Sequence, residues 1–417
     1  MDDVMRLAPG ALLRRSLAWI VVAVSILVWP ALGNPTVYPV LVLFLLALFL
    51  GVERADLSWV VRQRWIQLFL VAFGLIAVAF SLNATVPEDY GHILDFLVLP
   101  LSIPITLLVM QLGPRFDTVR LAQLCLASAA IALAVAVYGS VVLQEGRASG
   151  YELSPIQFAD LAVIMGFMAL GGFFVGGASR HWYLLAGPFL GLGAAILAGT
   201  RGALLVALAL CVVFVVCYVI FHPAKRKTKF RILALLAAAV IVSLAWGYFA
   251  ASSRFLDAIT VATKLLQGSE IDSSSAYRLE MYSSGLRAFL DSPIFGHGWT
   301  KQLESALPYM SPMGQEGYRV EKWGYIHNEA LSFAVGAGLL GLLAYIVWMI
   351  APFVGLAGIA PDTQSSARIY FISILVIGLL VAGLTEVLFM SELSKTLLVI
   401  LVSVILVACR DRKGLQQ

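Results

Sequence analysis

The chain has 417 residues, 61% of them hydrophobic and 12% charged, with a formal net charge of +4 and a mean hydropathy of +0.92. Repeated continuous apolar runs of spanning length exclude a soluble enzyme and predict a polytopic helical membrane protein. A lipid-facing barrel is excluded as well, because its strands would alternate apolar and polar positions over about ten residues.

In chain order, spans are predicted at 17–33, 35–51, 66–82, 92–110, 121–143, 157–178, 182–198, 203–222, 231–250, 329–356, 368–390 and 394–410. The fold class is therefore all-α, with about twelve transmembrane helices. Three regions follow: helices in 1–250, a polar loop in 251–328 and helices again in 329–417. The first run ends in Ala31-Leu32-Gly33 but leads straight into a second run, so a retained helix is expected rather than a cleaved signal peptide. Pro100 and Pro104 predict a kinked or partly re-entrant fourth span. Cys125, Cys211, Cys217 and Cys409 all fall in apolar runs without metal-ligand spacing, which predicts neither disulfides nor zinc.

Sidedness follows from lysine and arginine. With the N-terminus inside, most of the basic residues outside the long loop fall on one side, including the run from Lys225 to Arg231. Both termini are assigned to the cytoplasm and the loop to the outer side. Arg147 and Arg201 then stand out, because short outer connections avoid positive charge unless it is needed there.

Within the loop, Ser253 is expected to cap a surface helix carrying Phe255, Leu256, Ile259, Ala262, Leu265 and Leu266, ended by Gly268. A second helix is predicted from Ser273-Ser274-Ser275 to Asp291-Ser292-Pro293, with Arg278 and Tyr282 on one face. Phe295-Gly296-His297-Gly298-Trp299 reads as a turn whose glycines let backbone approach another surface. The stretch from Leu307 to Lys322 reads as a mobile lid.

The chemistry concentrates at His327-Asn328, which heads the tenth span, where a histidine is placed as a general base or as a simple interfacial anchor. Arg201 lies in Gly199-Thr200-Arg201-Gly202 between two closely spaced spans. Its guanidinium either binds phosphate and stabilises a leaving diphosphate or snorkels to the interface. Arg278 has the same two readings, with a salt bridge to Asp272 or Glu280 as the plainer one. Arg147 is a third candidate phosphate contact. Glu386, expected inside the eleventh span near its outer end, either orients a base, pairs with an arginine or has no role. With no Asp-x-Asp pair or histidine cluster outside the membrane, a metal-independent reaction without cofactor is expected.

His327-Asn328, nine residues, Gly338, two residues and Gly341 form a pattern. So do Thr200-Arg201-Gly202-Ala203 before a span, and Arg278 ahead of Ala288-Phe289-Leu290-Asp291-Ser292-Pro293-Ile294-Phe295-Gly296-His297-Gly298. Together these resemble the O-antigen ligase and polymerase superfamily. The resemblance implies an inner-membrane glycosyltransferase with a periplasmic site. Its donor would be O-antigen glycan on undecaprenyl diphosphate, and in ligase members the acceptor is lipid A-core. It further implies that Arg201 and Arg278 bind the donor diphosphate and that His327 takes the acceptor's proton in an inverting displacement. Twelve expected spans with one sizeable outer loop, and no appended periplasmic domain of the kind that the resemblance implies for many protein oligosaccharyltransferases, favour a ligase, with a polymerase as the nearest alternative. A transporter of lipid-linked sugar is the alternative from another class, opposed by charges that cluster at the outer surface rather than at mid-membrane. Membrane lipids are expected partners, nucleic acid is not, and oligomeric state is left open.

Overall fold

A computed structural model describes residues 9–49, 54–84, 86–113, 116–175, 178–221, 230–231, 234, 273–321 and 324–410. Nearly all of the predicted ninth span, most of the basic run from Lys225 and the surface helix expected from Ser253 lie outside the described residues. The helices are α1 (Pro9–Leu27), α2 (Val37–Phe49), α3 (Arg64–Asn83), α4 (Ser102–Met110), α5 (Thr118–Val137), α6 (Pro155–Met168) and α7 (Ala186–Leu197). They continue as α8 (Gly202–Phe221), α9 (Ser273–Asp291), α10 (Pro312–Glu321), α11 (Glu329–Ala357), α12 (Ser365–Ala382) and α13 (Glu392–Ser403), joined by shorter helical turns. Among the described residues there is no strand, and six helices are long and apolar enough to cross a membrane. The protein is thus an all-α polytopic membrane protein.

Side-chain caps mark several starts. Asp117 accepts from the Arg120 N–H at 2.9 Å, Ser154 from Gln157 at 3.1 Å with Pro155 following, and Asn328 from Leu331 at 3.0 Å. Each satisfies one of the amide groups that a helix start leaves unpaired. The fourth span is broken as its prolines predict: a short helix at Gly91–Leu94, turns, then α4.

Helix α6 is the centre of one half of the bundle. Every residue from Gln157 to Met168 is buried, beneath α5, α7, α8 and α12. It meets α7 backbone to backbone: a Cβ on Gly166 would lie 2.4 Å from the Gly187 carbonyl oxygen, and one on Gly191 2.4 Å from that of Ala162. Small residues four apart on α7 allow this approach, as in many membrane helix pairs.

Helix α11 packs along α3 and is interrupted at Gly338, where φ is +63° and ψ is −154°. The turn predicted at 295–299 supplies what the interruption removes. The N–H of His297 donates to the Val335 carbonyl at 2.9 Å and that of Gly298 to Gly336 at 3.0 Å, while Leu339 donates back to Pro293 at 2.8 Å. A Cβ on Gly338 would sit 2.3 Å from the Ile294 oxygen, so the two backbones can cross only without one. Trp299 locks the turn against Phe80, Phe96 and Phe333, with ring centroids 5.0–5.5 Å away.

The stretch read as a lid contains α10, whose start is held by the Glu280 carboxylate accepting from the Ser311 N–H. One expectation is corrected: the eleventh span does not reach residue 390. Helix α12 ends at Ala382, and residues 383–391 form a connection before α13, which places Glu386 beyond the helix.

Candidate functional site

That connection is the hub of the site, although its sequence, Gly383-Leu384-Thr385-Glu386-Val387-Leu388-Phe389-Met390-Ser391, looks like more of the same apolar span. It stays out of the helix because other elements take its backbone groups. Glu329, 1% exposed, donates its N–H to the Gly383 carbonyl at 2.7 Å, and its Oε2 accepts from Leu388 N at 2.6 Å and Phe389 N at 3.1 Å. From α6, Gln157 Nε2 donates to the Val387 carbonyl at 3.1 Å. From α9, the Tyr282 hydroxyl stands 2.7 Å from the His327 carbonyl and 2.8 Å from that of Leu384, bridging both strips of chain with one proton. Asn328 adds a 3.4 Å contact from Nδ2 to the Leu384 oxygen.

This framework brings Glu386 against His327. Nδ1 of His327 lies 3.4 Å from Oε2 of Glu386, whose side chain is 1% exposed while the imidazole is 17% exposed. The ring is not aligned for a hydrogen bond through Nδ1, so the contact is chiefly electrostatic. A carboxylate only accepts, so it favours the tautomer with its proton on Nδ1 and leaves the Nε2 lone pair for a substrate. Tyr325 sits edge-on to the imidazole at 5.0 Å between centroids, and its hydroxyl bonds to the Glu386 carboxylate.

Burial alone would raise the Glu386 carboxyl above the ordinary range. The His327 imidazole, the Tyr325 hydroxyl and the Val387 N–H outweigh burial and hold it below that range. Tyr325 is pushed up, first by burial and then by the charge of Glu386. The sign of the linkage follows: a carboxyl depressed in the folded state stabilises the protein above its unfolded value and ceases to do so as pH falls through the folded one. Glu386→Gln should therefore unfold a few degrees below wild type in detergent at neutral pH, the difference closing below about pH 4. A difference that persisted unchanged into acid would show that the charge of Glu386 does not hold the connection.

The arginines reach the hub by different routes. Arg201 is half-buried in the turn between α7 and α8, where Gly199 has φ of +61°. The next residue, Gly202, lies so close to Thr385 that a Cβ would come within 2.6 Å of its hydroxyl oxygen. The Arg201 turn thus abuts the residue before Glu386. Arg147 buttresses that turn, its Nε donating to the Ala198 carbonyl at 3.2 Å and its Nη2 to the Thr200 hydroxyl at 3.4 Å. Arg278, half-buried on α9 one turn before Tyr282, lies within electrostatic reach of Tyr282, Tyr325 and Asp160.

The structure therefore gathers His327, Asn328, Glu386, Arg201 and Arg278 around one connection, with Arg147 a step behind. It does not bring Gly338 or Gly341 there: both shape the interruption of α11, about three and about four turns beyond His327. Sequence reasoning missed Glu329, Tyr325, Gln157 and Asp160. An acid in an apolar span was a usable signal for Asp160, since such groups are rarely idle. An imidazole beside a carboxylate, with guanidinium groups nearby, can take a proton from a hydroxyl while an anionic leaving group is stabilised. Residues 186–346, which include Arg201, Arg278, His327, Asn328, Gly338 and Gly341, match the family model described as O-Antigen ligase. No curated protein matches the chain.

Proposed function

We propose that the chain, a member of the O-antigen ligase and polymerase superfamily, is an inner-membrane glycosyltransferase that moves O-antigen glycan from undecaprenyl diphosphate to lipid A-core. The observation that carries this reading is the His327–Glu386 pair, seated on the connection that the Arg201 turn abuts and Tyr282 of the Arg278 helix ties down.

In the reaction, the acceptor hydroxyl attacks the anomeric carbon as its proton passes to Nε2 of His327. The bond from that carbon to the diphosphate oxygen breaks, and the leaving charge stays on undecaprenyl diphosphate, opposite Arg201 and Arg278. One displacement inverts the anomeric configuration. Glu386 balances the imidazolium that forms, and Tyr325 holds Glu386. Arg147 serves the donor by fixing the Arg201 turn. The outward placement of Arg147 and Arg201, against the positive-inside tendency, supports a site on the periplasmic face.

The test supplies purified protein with lipid-linked glycan and one of three acceptors: lipid A-core, a second lipid-linked glycan or an acceptor protein. Glycan-bearing lipid A-core and released undecaprenyl diphosphate are expected. Product with the second lipid-linked glycan alone would make the chain a polymerase, and product with protein alone an oligosaccharyltransferase. No bond cleavage with any acceptor, together with movement of intact donor across a vesicle membrane, would make it a transporter.

A further inference from the structure

Helix α9 has two apolar faces, although it is not one of the six helices fit to cross a membrane. Met281, Gly285 and Ala288 turn inward. Gly285 lies so close to the start of α11 that a Cβ would come 2.8 Å from Cδ1 of Ile326 and 3.1 Å from Cδ2 of Leu331. On the opposite side Leu279, Leu286 and Leu290 fall in one stripe at helical spacing and are 47–64% exposed. Single exposed leucines are ordinary, but a continuous stripe of them marks a contact surface.

The stripe runs on past the end of the helix, where Ile294 and Phe295 are exposed as well. The turn they open is tied to two membrane spans. Asn83, the last residue of α3, donates from Nδ2 to the Phe295 carbonyl, and the Leu339 N–H of α11 donates to that of Pro293 at 2.8 Å. Each span carries its own exposed apolar row: Val71, Val78 and Leu82 on α3, and Leu339, Leu343, Ile346 and Ile350 on α11. Such rows on a spanning helix face lipid. The row on α11 begins at Leu339 because residues 332–338 are buried, with α9 packed on that part of the helix. Where α11 leaves the lipid surface, α9 takes it up.

We infer that α9 lies in the interface of the leaflet at this end of the bundle, with Leu279, Leu286, Leu290, Ile294 and Phe295 set among lipid chains. The occupant is the bilayer, because the stripe continues two rows that already face lipid. Arg287, exposed beside the stripe, meets lipid phosphate along its edge. The seating also sets a height. Arg278 and Tyr282 lie about a quarter turn round the helix from the leucines, which holds them at the level of the lipid headgroups. On the donor reading above, that is where a lipid's diphosphate lies; the insertion itself does not depend on that reading.

The experiment places the unmodified chain in vesicles of phosphatidylethanolamine and phosphatidylglycerol, a fraction of the lipid carrying a photoactivatable diazirine on its acyl chain. Light labels what the chains touch, and peptide mass spectrometry maps the label. Leu279, Leu286 and Leu290 should be labelled as heavily as Leu343 and Ile346 of α11. An unlabelled α9 stripe beside a labelled α11 row would overturn the inference. Label that appeared only on dilution of the protein in lipid would overturn it too, assigning the stripe to a second copy. The double variant Leu286→Glu with Leu290→Glu changes two exposed positions and should lose the label on α9 while keeping it on α11. Its glycan transfer should fall on the order of 10²-fold, the cost of misplacing a binding group by about 1 Å. Label retained on α9 in the variant would contradict the insertion, and full transfer after loss of the label would contradict the part α9's seating plays in placing Arg278. Absence of transfer by wild type would remove the donor reading and leave the labelling result standing.

Discussion

Replacing His327 with alanine should lower glycan transfer by about 10²- to 10⁴-fold, the usual contribution of a positioned base, while lipid donor still binds. The split between turnover and binding follows from position. His327 precedes the Asn328 cap and belongs to no helix, so its side chain can be truncated without removing a cap or a core contact of α11. What is lost is the proton acceptor and the charge opposite Glu386. His327→Gln separates the two, since glutamine keeps a polar side chain but cannot take the proton; it should be as inactive as alanine. Initial rates in reconstituted membranes, with donor binding measured in parallel, check this. Wild-type transfer by either variant would remove His327 from the chemistry.

Replacing Arg278 or Arg201 with alanine should damage both quantities. A guanidinium that binds the diphosphate before transfer and stabilises it as a leaving group contributes to ground state and transition state alike. Loss of such a donor costs on the order of 10²- to 10³-fold in turnover, with weaker donor binding in addition. Lysine should not restore Arg201, because an ammonium cannot make the paired, planar contacts of a guanidinium to phosphate. Arg147→Ala should be milder and act through the Arg201 turn, whose Ala198 carbonyl and Thr200 hydroxyl would lose their partner. Rates against donor concentration for the three variants order them. An Arg147 effect larger than that of Arg201 would reverse the roles assigned to them.

Much of the helical framework was legible in the residues. The start at Ser273-Ser274-Ser275, the stop at Asp291-Ser292-Pro293 and the break at Pro100 and Pro104 rest on local chemistry, and the structure has helices starting, stopping and breaking there. The glycines of 296–298 announced a close backbone approach, but not that the partner would be the interruption of α11 at Gly338, 40 residues on. The end of α12 was hidden. Leu384, Val387, Leu388 and Phe389 continue the hydropathy of the span, and the connection leaves the helix because distant residues take its backbone groups, Glu329 the amides of Leu388 and Phe389 among them. No local signal in 383–391 records that Glu329 lies more than 50 residues earlier. The same long-range placement sets Glu386 against His327. Helix α10 was missed for a related reason. Pro312 and Gly314 read locally as loop residues, and the start of the helix depends on Glu280, a residue of another helix.

A structure of the protein holding undecaprenyl diphosphate-linked glycan tests most directly whether His327 faces a donor whose diphosphate lies between Arg201 and Arg278. Both phosphates should lie against the two guanidinium groups, with Nε2 of His327 open toward the anomeric carbon and Nδ1 still beside Glu386. Phosphates seated away from both arginines, or an anomeric carbon that His327 cannot reach even through the acceptor hydroxyl, would contradict that arrangement.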